Sequence, residues 1–214
     1  MILPLRPIPS ALPPDPQVAL ARSEMRQAAI ARRKEIPADH IAAWSRSLCD
    51  RLATQWPQPP GRIIGFCWPM QNEPDIRPLM VRWRTQGASA VLPVVVAPGQ
   101  ALLFRPWHPD TSGDPLAAGA AMVPDRFGIP TPVQGPELIP DVLLLPLNAF
   151  DAAGYRIGYG GGFFDRTLAA LTAQNRRPLV IGVGFEIGRV TTTYPQPHDE
   201  RLDWIVTEAG LFKP

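Results

Sequence analysis

The stretch "GYRIGYGGGFFDRTLAAL" (154–171) gathers residue types that handle an anion: five glycines, an arginine and, beyond two phenylalanines, an aspartate. Glycine loses more backbone freedom on folding than any other residue. A cluster of glycines therefore marks positive φ angles or close approach of the backbone to a ligand. Gly158, Gly160, Gly161 and Gly162 can present backbone N–H groups to a phosphate, and Arg156 supplies charge. A helix starting directly after them adds its dipole. The spacing is neither GxxxxGK(S/T) nor a GxGxxG that follows a strand, so neither common nucleotide fingerprint applies. A plain connecting loop is the competing reading. Asp165, at the start of that helix, either caps it or holds a cation.

Other chemistry-bearing residues are scattered. Arg22, Arg26 and Arg33 lie four and seven residues apart, on one face of an N-terminal helix, while Arg32 and Lys34 fall off that face. A solvated basic helix is the competing reading of this cluster. Glu73 in "QNEPD" reads, on its own, as a loop acid, and Phe66, Trp68, Met70 and Phe127 as core. His198 beside Asp199 suits a turn or a cap, and His40 and His108 suit the surface.

The elements that must position these residues alternate along the chain. Asp15-Pro16 is a helix start, with Asp as the cap and Pro at the first helical position. The helix runs to Pro37. A second, with Ile41, Trp44, Leu48 and Leu52 at helical spacing, ends before Pro57. Strand 62–68, helix 76–86 closed by Gly87, and strand 89–95 form a βαβ unit with parallel pairing. A short strand covers 101–107, and 109–140 reads as mostly loop because of its Pro and Gly content. "DVLLLPL" (141–147) is apolar throughout, as a central parallel strand should be. Helix 165–174 and strands 178–185 and 202–208 complete an α/β chain, expected as one three-layer domain over 15–214. Its sheet is mostly parallel, with helices on both faces. The glycine stretch then falls beyond the carboxyl end of a central strand, where open α/β sheets bind ligands.

Bulk properties exclude several classes. The chain has 214 residues, enough for a substantial core, with 45% hydrophobic and 19% charged residues. A net charge of +2 is near balance and gives no nucleic-acid footprint. Two cysteines without CxxC spacing argue against a disulfide scaffold and fit a reducing cytoplasm. No apolar run reaches the roughly 18 residues of a membrane span. Residues 1–14 are too interrupted by proline for a signal peptide and read as a mobile or surface-draped tail.

The wording of several blocks carries a resemblance. "PLNAFDAAGYRIGYGGGFFDRTL" resembles the signature region of the 5-formyltetrahydrofolate cyclo-ligase family, the methenyltetrahydrofolate synthetases. "FCWPMQNEPDIRPLM" looks like that family's folate-side strand and loop, "FGIPTP" like the block with an aromatic over the folate, and "HDERLDWIVTE" like its C-terminal block. These follow in order from about Leu20 to the end of the chain.

The resemblance implies an ATP- and Mg²⁺-dependent closure of 5-formyltetrahydrofolate to 5,10-methenyltetrahydrofolate, with release of ADP and phosphate. It implies Arg156 and Asp165 as catalytic residues, and Asp165 with Asp199 as metal ligands. It puts ATP against Arg22, Arg26, Arg156, Gly158, Tyr159, Gly160, Gly161, Gly162, Phe163 and Phe164, and folate against Arg26, Met70, Glu73 and Phe127. The expected partners are reduced folate and ATP, with no nucleic acid or membrane, and the expected state is a cytoplasmic monomer.

Some positions depart from the family pattern. Arg22 replaces a lysine, and Phe163 and Phe164 replace tyrosines. Tyr159 and Gly161 stand where some members carry basic residues, Gly188 where many carry glutamine, and Gln196 where an acid is common. Two further readings therefore stay open: a non-catalytic folate- or nucleotide-binding paralogue, and a sugar-phosphate or coenzyme A enzyme on a similar sheet.

Overall fold

The computed structural model describes residues 15–59, 61–108 and 122–214. The proline-rich tail expected at 1–14 lies outside the described residues. Helix α1 (Pro16–Lys34) starts as its sequence dictates, with the Asp15 carboxylate accepting from the Gln17 N–H at 2.8 Å and Pro16 in the first turn. Helix α2 (Ala38–Gln55) buries Leu48 and Leu52. Strand β1 (Ile63–Gly65), helix α3 (Arg77–Thr85) and strand β2 (Ser89–Val94) form the expected parallel βαβ unit. Strands β3 (Leu103–Pro106), β6 (Val142–Pro146), β9 (Leu179–Val183), β10 (Trp204–Val206) and β11 (Leu211–Phe212) complete a seven-stranded sheet. Its order is β11-β10-β9-β6-β1-β2-β3. Pairing is parallel through the middle and antiparallel at the two edges, β2–β3 and β10–β11.

Period-two alternation along β6 sets the layers. Val142 and Leu144 join Leu48, Leu52, Leu79, Met80 and Trp83 of α2 and α3 in one core cluster. Leu143 and Leu145 face the other way, into a cluster with Leu168 of α4 (Phe163–Ala173). The fold is thus a three-layer α/β domain with a mostly parallel sheet. Among the described residues no helix is long and apolar enough to cross a membrane.

Two hairpins differ from the sequence expectation. Within 109–140, strands β4 (Met122–Pro124) and β5 (Pro130–Pro132) pair antiparallel around a turn. There the Asp125 carboxylate accepts from the Phe127 and Ile129 N–H groups. Prolines hide such a strand because they remove ladder donors, a loss that a two-stranded ribbon tolerates. Strands β7 (Ala149–Phe150) and β8 (Arg156–Ile157) pair just before the glycine loop. The strand expected at 62–68 is shorter because the chain leaves the sheet ahead of Pro69.

The β7–β8 turn is organised by Asp151. Its buried carboxylate accepts from Ala153 N–H (3.0 Å), Tyr155 N–H (3.1 Å), Thr193 N–H (2.9 Å) and the Thr193 hydroxyl (2.7 Å). Asp151→Ala leaves these donors unpaired and should lower stability by about 3 kcal/mol or more in urea denaturation. Asp151→Asn, which keeps the Oδ1 acceptor, should cost clearly less. Equal losses would remove the Asp151 acceptors from their organising role.

Candidate active site

The chain leaves β6, turns through β7 and β8, and runs through Gly158–Gly162 into α4. Gly160 (φ +90°) and Gly162 (φ +62°) occupy the left-handed region, so two of the three consecutive glycines are there for conformation. Gly162 is also the residue that caps α4. Asp165 sits in the first turn and does not cap the helix. Its Oδ1 takes the Arg156 guanidinium at 3.1 Å and accepts from the Glu200 N–H at 3.1 Å. Arg156 belongs to β8, is buried, and also donates to the Glu200 carbonyl. Its charge is therefore spent on fixing Asp165 and the 200 segment.

Helix α1 brings three arginines to this end of the sheet. Arg22 forms a two-pronged ion pair with Asp199 (2.6 and 3.0 Å) and donates to the Thr193 and Tyr194 carbonyls. Arg26 donates from Nε to the Gly158 carbonyl at 2.7 Å, and its guanidinium lies 3.2 Å from where a Cβ on Gly160 would stand. Partial burial, and then the neighbouring Arg22, lower its pKa. Arg33 is buried and donates to the Gln71 carbonyl (2.8 Å), Asn148 Oδ1 (2.8 Å) and the Tyr159 hydroxyl (3.1 Å). Arg32 and Lys34 are exposed, as their places on the helix face require.

Arg33 is the site residue that residue-by-residue reasoning missed. Its signal was present, since it shares the face of Arg22 and Arg26.

Tyr159 and Glu73 meet. The Tyr159 hydroxyl donates to Glu73 Oε1 at 2.7 Å, the Met70 N–H donates to Oε2 at 3.0 Å, and Arg33 lies 3.9 Å away. Tyr159 thus reaches the acid expected on the folate side rather than only the nucleotide loop. Glu73 is 6% exposed, and burial pushes its carboxyl above the ordinary 4.5 against the pull of Tyr159, Arg33 and Met70. Burial, and then the Glu73 charge, raise the Tyr159 hydroxyl as well.

The remaining expected residues divide. Phe163 and Phe164 pack against the core cluster beneath α4, and Arg166 lies over the Phe163 ring and donates to the Gly161 carbonyl. Phe127 is 53% exposed on the β4–β5 turn, with Arg126 stacked on its ring at 4.6 Å. It sits on that hairpin, with its ring open to solvent. Gly188 is buried in a 3₁₀ turn where a Cβ would stand 2.8 Å from the Asn148 carbonyl oxygen, which excludes a side chain there. Gln196 donates its N–H to Asp199 Oδ2 at 2.7 Å, so it helps to hold that carboxylate. His198 is half-exposed in a turn, 4.0 Å from Asp199.

Among the described residues no group of three or more His, Cys, Asp or Glu could hold a metal ion alone. A divalent cation here would need oxygens from a ligand. Asp165 suits that role, since both of its contacts use Oδ1. Asp199 suits it only if Arg22 lets go.

A family model described as the 5-formyltetrahydrofolate cyclo-ligase family matches residues 18–208. The chain belongs to this family. The 5-formyltetrahydrofolate cyclo-ligase of Escherichia coli K12 is 31% identical over 189 residues, spanning 85% of this chain and 97% of that protein. That of Mycolicibacterium smegmatis is 28% identical over 207 residues, spanning 87% and 93%. The solved structure of Aquifex aeolicus 5,10-methenyltetrahydrofolate synthetase superposes with a TM-score of 0.70 at 22% identity, covering 90% of this chain and 92% of that one. At that identity the likeness establishes a shared fold.

The raised Glu73 carboxyl has a consequence for stability. A folded-state pKa above the unfolded value means that ionisation opposes folding. The parent therefore loses stability as pH rises from about 4.5 through the folded pKa. Glu73→Gln has no such loss. The stability of the variant relative to the parent should rise across that window and then level off, as read by denaturation over a pH series. A pH-independent difference would contradict the assignment.

Proposed function

We propose that the chain closes 5-formyltetrahydrofolate to 5,10-methenyltetrahydrofolate using ATP and Mg²⁺, releasing ADP and phosphate. The observation that carries this reading is the convergence at one end of the sheet. A glycine loop with Gly160 and Gly162 at positive φ meets Arg22 and Arg26, the Arg156–Asp165 pair and the buried Glu73. Family membership supports the substrate pair.

A formamide oxygen is a poor leaving group. Transfer of the γ-phosphoryl group of ATP onto it makes a good one. N10 of the folate then attacks the former formyl carbon, the carbon–oxygen bond breaks, phosphate leaves with the oxygen and the N10 proton is released. Phosphoryl transfer needs positioning and charge neutralisation more than covalent help. The amides of Gly160–Gly162 with Arg22 and Arg26 hold the phosphates, beside Gly158, Tyr159, Phe163 and Phe164, and Arg156 orients Asp165. Met70, Glu73, Arg26 and Phe127 hold the folate. Mg²⁺, when bound, neutralises phosphate charge, and Asp165 and Asp199 are the carboxylates that would hold it together with phosphate oxygens and water. The protein acts as a cytoplasmic monomer on small molecules.

One feature favours a second reading: Arg22 occupies both oxygens of Asp199. This suits a relative that binds folate or nucleotide without turning it over. Methenyl-folate absorbance on mixing with ATP and Mg²⁺ separates the two. Product should form, with one ADP per folate. Asp165→Asn should raise the Michaelis constant for Mg²⁺-ATP at least about tenfold, with the folate dissociation constant within about twofold of the parent. Binding of both substrates without product would establish the second reading.

A further inference from the structure

Tyr159 is 46% exposed, yet its hydroxyl reaches two side chains that are almost fully buried, Glu73 and Arg33. It donates to the first and accepts from the second. The half-exposed ring therefore leads from the surface to the buried Glu73 carboxylate. When Tyr159 leaves, Arg33 keeps the Gln71 carbonyl and Asn148 Oδ1 as acceptors, and Glu73 keeps the Met70 N–H on Oε2. What opens is Glu73 Oε1, an acceptor, beside an Arg33 Nη2 donor. Tyr159 thus supplies both partners that a ligand with adjacent N–H and lone-pair groups would supply.

Tyr159 is also part of the glycine loop. Gly158 precedes it, with its carbonyl held by Arg26, and Gly160 follows at φ +90°. Backbone on either side of the ring can rotate where another residue could not. The same five residues carry the hydroxyl at Glu73 and the amides of 160–162. Because Gly160 follows Tyr159 directly, a ligand that draws the amides of 160–162 toward itself pulls on the residue that carries the hydroxyl.

We propose that Tyr159 couples the two substrate sites. Its hydroxyl latches the glycine loop to Glu73 in the free protein, and a ligand at either site releases the latch for the other. This rests on the folate-and-ATP reading above. Whichever ligand binds first bears the cost of breaking the hydrogen bonds, and the second does not, which is positive cooperativity. Linkage makes the effect reciprocal. Hydrogen bonds to a charged group set the scale at about tenfold in affinity, or about 1.4 kcal/mol. Tyr159 is on this account a positioning residue.

The test is equilibrium titration of 5-formyltetrahydrofolate and of a non-hydrolysable ATP analogue with Mg²⁺, each alone and in the presence of the other. In the parent each ligand should tighten the other about tenfold. In Tyr159→Phe, which keeps the ring, that factor should fall to within about twofold of unity, and folate alone should bind several-fold tighter. Tyr159→Leu, compared at a matched margin below its thermal midpoint, should lose the coupling too. An uncoupled parent, or a Tyr159→Phe protein that keeps the parent's coupling, overturns the proposal and leaves the functional reading standing. A parent that binds neither ligand overturns both.

Discussion

Helix α1 cannot be held on this domain by apolar burial alone. Its buried residues are Ala29 and Arg33, and a helix so poor in buried apolar surface needs another attachment. Arginines provide it. Arg22 grips Asp199 with both prongs, Arg26 holds the Gly158 carbonyl, and Arg33 is satisfied by Gln71, Asn148 and Tyr159. A buried guanidinium is tolerated only when its donors are paired, so these contacts fix the segments they touch as firmly as they fix the helix. The glycine loop, the loop carrying Glu73 and the C-terminal segment with Asp199 are all registered against one face of α1.

The sheet was legible because its sequence leaves little choice. "DVLLLPL" is apolar on both faces, which suits a strand covered on both sides, and Asp15-Pro16 and Gly87 mark helix ends by their chemistry. The βαβ unit follows from spacing and length. The β4–β5 and β7–β8 hairpins were not legible. Prolines conceal the first, and the second is only two residues long on each side, too short for any periodicity to register.

The site was legible at its glycines and less so at its charges. Positive φ at Gly160 and Gly162 follows from glycine density just before a helix. The fate of a charge depends on partners far away in sequence. Spacing puts Arg33 on the face of Arg22 and Arg26, but its partners Asn148 and Tyr159 lie 115 and 126 residues away and leave no local signal. Arg156 reads as free charge beside glycines, yet it is buried against Asp165. Tyr159 reads as part of the nucleotide loop, yet its hydroxyl turns to Glu73. The departure at Gly188 also gains a local cause, in close backbone packing, whereas the Gln196 contact with Asp199 is made by the backbone and does not depend on the side chain.

The central claim is that the backbone of Gly158–Gly162 receives phosphate. It is tested most directly by the affinity of Gly160→Ala for a non-hydrolysable ATP analogue with Mg²⁺. A Cβ there meets the Arg26 guanidinium at 3.2 Å in a positive-φ backbone, so a stability loss of about 1 kcal/mol is expected from strain alone. Nucleotide affinity should fall by more than that loss explains, with the affinity for 5-formyltetrahydrofolate alone largely kept. A Gly160→Ala protein that pays the stability loss and still binds the nucleotide like the parent would contradict the account.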